Sequence, residues 1–313
     1  MRATLFSSPC AAVALAVSVS ASVIRSQTRA VQPAKWKIAD VYKGDSFYDG
    51  FEFFTYPDPT DGLVNSFVIR GDQTRKLEVG EKRDSVRISS KKTYAEHVQI
   101  ADIEHMPEGL GTWPAYWMTG DNWPVNGEID IIEGANDLGP NLQSLHTTPG
   151  CEMNEEHRNQ KGRIKMNDCN SFANGNTGCG VFGDSQRDFG APFNKAGGGW
   201  WATVRTESAI KMYFWSRQDP DVPDEVRNGA DVVDPTGWGT PTSSFTSSGD
   251  LCSISDKFGK NRIIFNLTFC GGFAGHTFHG GTPACEDFVR NNPEAYNLAF
   301  WNVLSLRVYE EDN

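Results

Sequence analysis

Asn126-Gly127-Glu128-Ile129-Asp130-Ile131-Ile132-Glu133-Gly134 sets three carboxylates among three isoleucines. Successive side chains of a strand point to opposite faces. Glu128 and Asp130 therefore share one face, and Ile129 and Ile131 the other. Glu133 follows Glu128 by five positions, so strict alternation sends it to the apolar face. The doubled Ile131-Ile132 predicts a β-bulge, whose extra residue returns Glu133 to the acidic face. Three carboxyls in a row repel one another, and a shared site raises at least one pKa. A protonated acid beside an ionised carboxylate is what glycoside hydrolysis requires. The competing readings are a solvated acidic strand and a calcium-binding edge. The surrounding sequence decides among them.

The chain has 313 residues, a formal net charge of −11 and a pI of about 5.0. That length holds one large β domain or two ordinary ones. The acidity argues against a nucleic-acid partner and suits an exported protein with a neutral substrate. Arg2, the apolar run Ala11 to Val19 and the small residues Ser18, Ser20, Ala21 and Ser22 read as a secretory signal. Residues 1–26 are assigned to the signal and a short pro-segment, for which Arg25 and Arg29 form a basic patch. Residues 27–313 are assigned to a single domain. No later run is long and apolar enough to cross a membrane. The end, Glu310-Glu311-Asp312-Asn313, carries no hydrophobic tail of the kind some lipid anchors need. Cys10 lies in the signal. The even set Cys151, Cys169, Cys179, Cys252, Cys270 and Cys285 predicts disulfides of open connectivity. None of the six has the close-spaced partner that zinc sites favour. The sequon Asn266-Leu267-Thr268 falls inside an expected strand, which disfavours its use.

Along the chain, Trp36 to Tyr56 is aromatic-rich and reads as an outer strand and turn, and Pro57 to Gly62 as a loop. Asp84 to Ser89 and Ala95 to Ile103 alternate as strands. Trp113, Tyr116, Trp117 and Trp123 crowd a stretch broken by Gly and Pro just before the acidic strand. Aromatics are usually buried, but tryptophans beside a carboxylate row also describe stacking platforms for sugar rings. Asn141 to Thr148 reads as the next strand and contains His146. Gly150 to Gly199 reads as long loops pinned by disulfides, Trp200 to Ser216 as a hairpin turning near Ser208, and Pro220 to Ser248 as loop. Arg262 to Phe269 alternates Ile263, Phe265, Leu267 and Phe269 against Ile264, Asn266 and Thr268. Thr282 to Asn291 reads as a helix capped by Thr282 with Pro283 at its first position. Ala299 to Glu310 closes the chain as a strand. Many strands, long loops and little helical periodicity predict an all-β fold, a jelly-roll sandwich with one sheet curved into a concave cleft.

Gly127 to Gly134, preceded by Gly111-Thr112-Trp113-Pro114-Ala115-Tyr116-Trp117, resembles glycoside hydrolase family 16, and within it the secreted fungal laminarinase-type endo-β-1,3(4)-glucanases. The likeness extends through Ser46 to Phe51, Asp84 to Ile88, Leu145 to Thr148, Gly178 to Val181 and Asn266 to Gly272. It implies a concanavalin-like jelly roll and a retaining hydrolase of β-1,3- or mixed β-1,3/1,4-glucan. Glu128 matches the nucleophile, Glu133 the general acid/base and Asp130 the carboxylate between them, which is expected to raise the Glu133 pKa. Trp113, Trp117 and Trp123 match cleft aromatics, and Arg87 a groove arginine. His146 matches a histidine near the catalytic groups; a buried, hydrogen-bonded imidazole is the other reading. The resemblance implies a secreted monomer with a β-glucan partner, no cofactor and no catalytic metal. A calcium on the convex side occurs in relatives, but no ligand set is assigned in this chain. Gly272-Phe273-Ala274-Gly275 stands where the fungal pattern has Asp-Trp-Ala-Gly. Two alternatives accompany the hydrolase: a transglycosylase using the same site, and a glucan-binding module without catalysis, which expects one key glutamate to be missing.

Overall fold

Short strands with one apolar face cannot bury that face alone, and here they stack as two sheets. The computed structural model describes residues 34–53 and 67–312. The signal and pro-segment reading, Cys10 and the Pro57 to Gly62 loop lie outside the described residues. One 8-stranded sheet runs from edge to edge through Phe51–Phe53, Val86–Ser90, Arg262–Phe269, Thr112–Thr119, Glu128–Glu133, Leu142–His146, Cys179–Phe182 and Arg163–Ile164. The other runs through Val232–Val233, Trp36–Tyr42, Phe300–Glu311, His97–His105, Gly199–Arg205, Ala209–Ser216 and Ser243–Thr246, with Phe67–Arg70 paired to Phe300–Glu311 beside that path. Neighbouring strands are antiparallel. The result is the expected jelly-roll sandwich, one sheet curled around a groove and the other open.

The core lies between the sheets. Ile88, Tyr116, Met118, Ile129, Ile131, Ile132, Leu145 and Phe265 face Ile103, Trp201, Met212, Trp301 and Val303 across it. Each such large side chain stabilises the fold by roughly 1.5–3 kcal/mol when fully buried. Alternation divides the aromatic cluster on Thr112–Thr119. Tyr116 turns inward and stacks on Phe265 at 4.4 Å between centroids, while Trp113, Ala115 and Trp117 line the groove. The Gly/Pro-broken appearance of this stretch hides a regular strand. Pro114 fits because pairing with Glu128–Glu133 begins only at Ala115, so its missing N–H costs no ladder bond there.

The bulge is where the isoleucines predict it. Tyr116 pairs with Ile132 and Trp117 with Asp130, leaving Ile131 as the extra residue. Glycine brackets the strand for steric reasons. Gly127 sits at φ +71, and a Cβ at Gly134 would lie 2.4 Å from the Phe189 ring.

The hairpin around Ser208 forms as expected. The helix spans Gly281–Asn291, one residue earlier than expected, and Gly280 at φ +87 occupies the cap in place of Thr282. Pro220 to Ser248 is more structured than a loop. Its Val222, Val226, Val233 and Trp238 cover the outer face of the open sheet over Val98, Ile100, Trp200 and Trp215. The cysteines pair as Cys151–Cys252, Cys169–Cys179 and Cys270–Cys285.

Candidate active site

The groove of the curled sheet holds a cavity of about 630 Å³. Glu128, Asp130 and Glu133 line it together, because the bulge restores Glu133 to their face. The other candidates from the sequence, Arg87, Trp113, Trp117, Trp123 and His146, line the same cavity.

The tryptophans do more than offer ring faces. The Trp113 indole N–H donates to Glu133 Oε1 at 2.9 Å, and the Trp123 indole lies near enough to the Glu128 carboxyl to favour its ionised form slightly. Trp117 donates to Asn266 Oδ1 at 2.6 Å, and its ring lies 4.6 Å from the Arg87 guanidinium carbon. One face of Trp117 is thus taken by Arg87, whereas Trp123 is 44% exposed. Phe273 meets Trp113 edge-on at 5.8 Å. An apolar wall therefore stands at this departure from the fungal pattern, while Gly272 supplies no carboxylate.

His146 closes the cluster. Its Nε2 lies 3.3 Å from Asp130 Oδ2 and 3.9 Å from Glu128 Oε1, and Nδ1 donates to Asn176 Oδ1 at 3.0 Å. With an acceptor facing each nitrogen, the geometry suits a doubly protonated ring. Burial lowers the imidazole pKa, but the Asp130 hydrogen bond and the charges of Asp130, Glu128 and Glu133 outweigh it and push the pKa up to about 9. His146 is thus buried, hydrogen-bonded to Asn176 and set beside Asp130 and Glu128. Glu128, Asp130 and His146 offer atoms within 4.8 Å of one another, a spacing that would also suit a cation.

Burial, then the Asp130 charge, raises Glu128 to about 8 and Glu133 to about 7. The Glu133 shift follows the sequence expectation. That burial lifts Glu128 as well comes from the cleft walls, which no spacing reveals.

Sequence reasoning missed several lining residues. Asn266 drew notice as a sequon and as part of a strand, not as a cleft residue. It is 8% exposed and faces the cavity, where a glycan would fill the cleft. Lys165, Asn176 and His276 also line the cavity. They come from irregular segments without periodicity, so nothing in the pattern marks them.

Comparison with known proteins agrees with this geometry. Residues 64–309 match the family model described as "XgeA-like, catalytic GH16 domain". The chain is 36% identical over 306 residues to an endo-1,3(4)-beta-glucanase of Arthroderma benhamiae, covering 89% of this chain and 65% of that protein. It therefore spans somewhat under two thirds of that relative. The structure resembles laminarinase 16A from Phanerochaete chrysosporium, with 6-O-glucosyl-laminaritriose in both donor and acceptor sites, at TM-score 0.81 and 39% identity over 88% of this chain and 100% of that one. It also resembles an elongating family 16 beta-1,3-glucosyltransferase, at TM-score 0.78 and 32% identity over 88% and 100%.

Proposed function

Since the chain belongs to glycoside hydrolase family 16, we propose that it is an endo-acting hydrolase of β-1,3- and mixed β-1,3/1,4-glucans working by retaining double displacement. The observation that carries this reading is the set Glu128, Asp130 and Glu133 on one groove wall, brought to one face by the bulge. Glu128 attacks the anomeric carbon as Glu133 gives its proton to the departing oxygen. The glycosidic C–O bond breaks and an ester to Glu128 forms. Water then attacks that carbon, Glu133 takes the water proton, and the Glu128 carboxylate leaves. The His146 imidazolium beside Asp130 and Glu128 favours the ionised form of the nucleophile, against the burial that raises its pKa. Once Glu128 is a neutral ester, repulsion on Glu133 falls and it serves as base.

The glucan lies across the strands, with Trp123 as a stacking platform. Residues 27–313 serve as one catalytic domain, and 1–26 direct export. Three disulfides support a site of action outside the cell. The catalytic unit acts as a monomer on β-glucan.

The likeness to the elongating glucosyltransferase favours a second reading, transfer to a sugar acceptor in place of water. Incubation with laminarin, lichenan and a xyloglucan, followed by sizing of the products, tests both. New reducing ends from laminarin or lichenan are the expected outcome. Chain rearrangement without net hydrolysis would replace the first reading with the second. Intact polymer with retained protein would leave only binding.

A further inference from the structure

We propose that Asn141 is the positioning residue of the acid/base carboxyl, its side-chain amide continuing the ladder to the neighbouring strand beyond the point where that pairing ends. The proposal rests on the reading of Glu133 as acid/base.

Glu128–Glu133 pairs with Leu142–His146 at Glu128 with His146, Ile129 with Leu145 and Asp130 with Ser144, and the pairing stops there. The main chain beyond that point still carries polar groups that need partners in a buried place. Asn141, just before the neighbouring strand, meets two of them. Its Nδ2 donates to Ile131 O at 2.8 Å, and its Oδ1 accepts from Glu133 N at 2.9 Å. One planar amide thus spans the bulge, holding the residue that is extra and the residue that must face the groove.

The clamp is itself anchored. Asn141 is fully buried. Its N–H donates to Asp188 Oδ1 at 3.0 Å, and its carbonyl accepts from Gly183 N at 2.8 Å. It is not among the groove-lining residues and so acts through Glu133. Glu133 reaches Trp113 Nε1 at 2.9 Å from the position the clamp fixes. The residue type follows from the bonding pattern. Only an amide offers one donor and one acceptor in this geometry; an ionised aspartate offers acceptors alone, and alanine offers neither.

A residue that aims the general acid matters in proportion to the help the leaving group needs. Asn141→Ala is measured on laminarin, whose departing oxygen requires a proton, and on a dinitrophenyl β-laminaribioside, whose leaving group requires none. The value of kcat/KM on laminarin should fall about 10- to 100-fold, as for a misplacement on the ångström scale. On the aryl glycoside it should change little. Equal losses on both substrates, or no loss on either, would overturn the proposal. If Asn141→Ala does not fold, Asn141→Asp carries the test. It has nearly the same shape and, when protonated, can make both bonds, whereas its ionised form loses the donor to Ile131 O, so the selective loss is expected to grow as pH rises. Glu133→Ala on the same two substrates reads the underlying assignment separately. A selective loss there with none at Asn141 overturns only the clamp. Equal losses in Glu133→Ala overturn the acid/base assignment and the clamp with it.

Discussion

His146 places a positive charge beside two acidic groups of the cleft. It lies 3.3 Å from Asp130 and 3.9 Å from Glu128, so its positive charge eases ionisation of Glu128. His146→Gln should move the acid limb of kcat/KM to higher pH by roughly 1 unit, measured from a full pH profile; an unmoved limb would mean the charge is not felt at Glu128. The same cluster predicts how stability varies with pH. Glu128, Glu133 and His146 all bind protons more tightly in the folded chain, from ordinary values of 4.5, 4.5 and 6.5 to about 8, 7 and 9. A raised folded-state pKa contributes stability below the unfolded value and loses it as pH rises through the folded one. All three signs agree. The melting temperature should therefore fall from about pH 5 to about pH 9, and Glu133→Gln should flatten part of that fall. A profile that rises with pH would contradict the arrangement. Among the tryptophans, Trp123 is the one left exposed to stack. Trp123→Ala should weaken oligosaccharide binding by about 0.5–1.5 kcal/mol beyond lost area, with little change in melting temperature. A drop in melting temperature with unchanged binding would make it a packing residue.

The decisive element is the bulged strand. An added residue between Ile131 and Ile132 should send Glu133 into the apolar layer and remove activity, since an unpaired carboxyl there carries a large burial cost. Deleting Ile131 should instead leave Glu133 on the groove face by plain alternation, so that variant is expected to retain some activity. Equal inactivity of two well-folded variants would show that face alone does not govern the site. This element was legible because its periodicity breaks at one place, the doubled isoleucine. Arg262–Phe269 was legible for the same reason, with Ile263, Phe265 and Leu267 buried and Asn266 and Thr268 in the groove. Other elements conceal themselves. Ser243–Thr246 is a buried edge strand built from polar residues, with Ser243 and Ser244 inside, so no apolar alternation announces it. Asn141 is one amide at the start of a strand. Its role depends on a ladder ending across the sheet, a relation that exists only in three dimensions.

At the scale of the molecule, the curled sheet makes the groove and the cross-links hold its walls. Cys270–Cys285 ties the Gly271–Gly275 turn, which carries Phe273, to the helix Gly281–Asn291. Replacing both cysteines with serine should cost about 3 kcal/mol, as expected for a loop of about 15 residues, read as a lower denaturation midpoint. An unchanged midpoint would show that packing of Tyr296, Val289 and Leu267 suffices there. The sandwich and the carboxylate row followed from alternation and spacing, and the cleft tryptophans from the resemblance to family 16. The disulfide connectivity did not, because the spacing of six cysteines leaves it open. All of these features converge on retention of configuration at the anomeric carbon, read most directly by following the hydrolysis of a laminari-oligosaccharide by proton NMR from the first minutes. The first reducing end to accumulate should be the β-anomer, followed by slow mutarotation. An α-anomer appearing first would contradict the double displacement and the roles of Glu128 and Glu133 together.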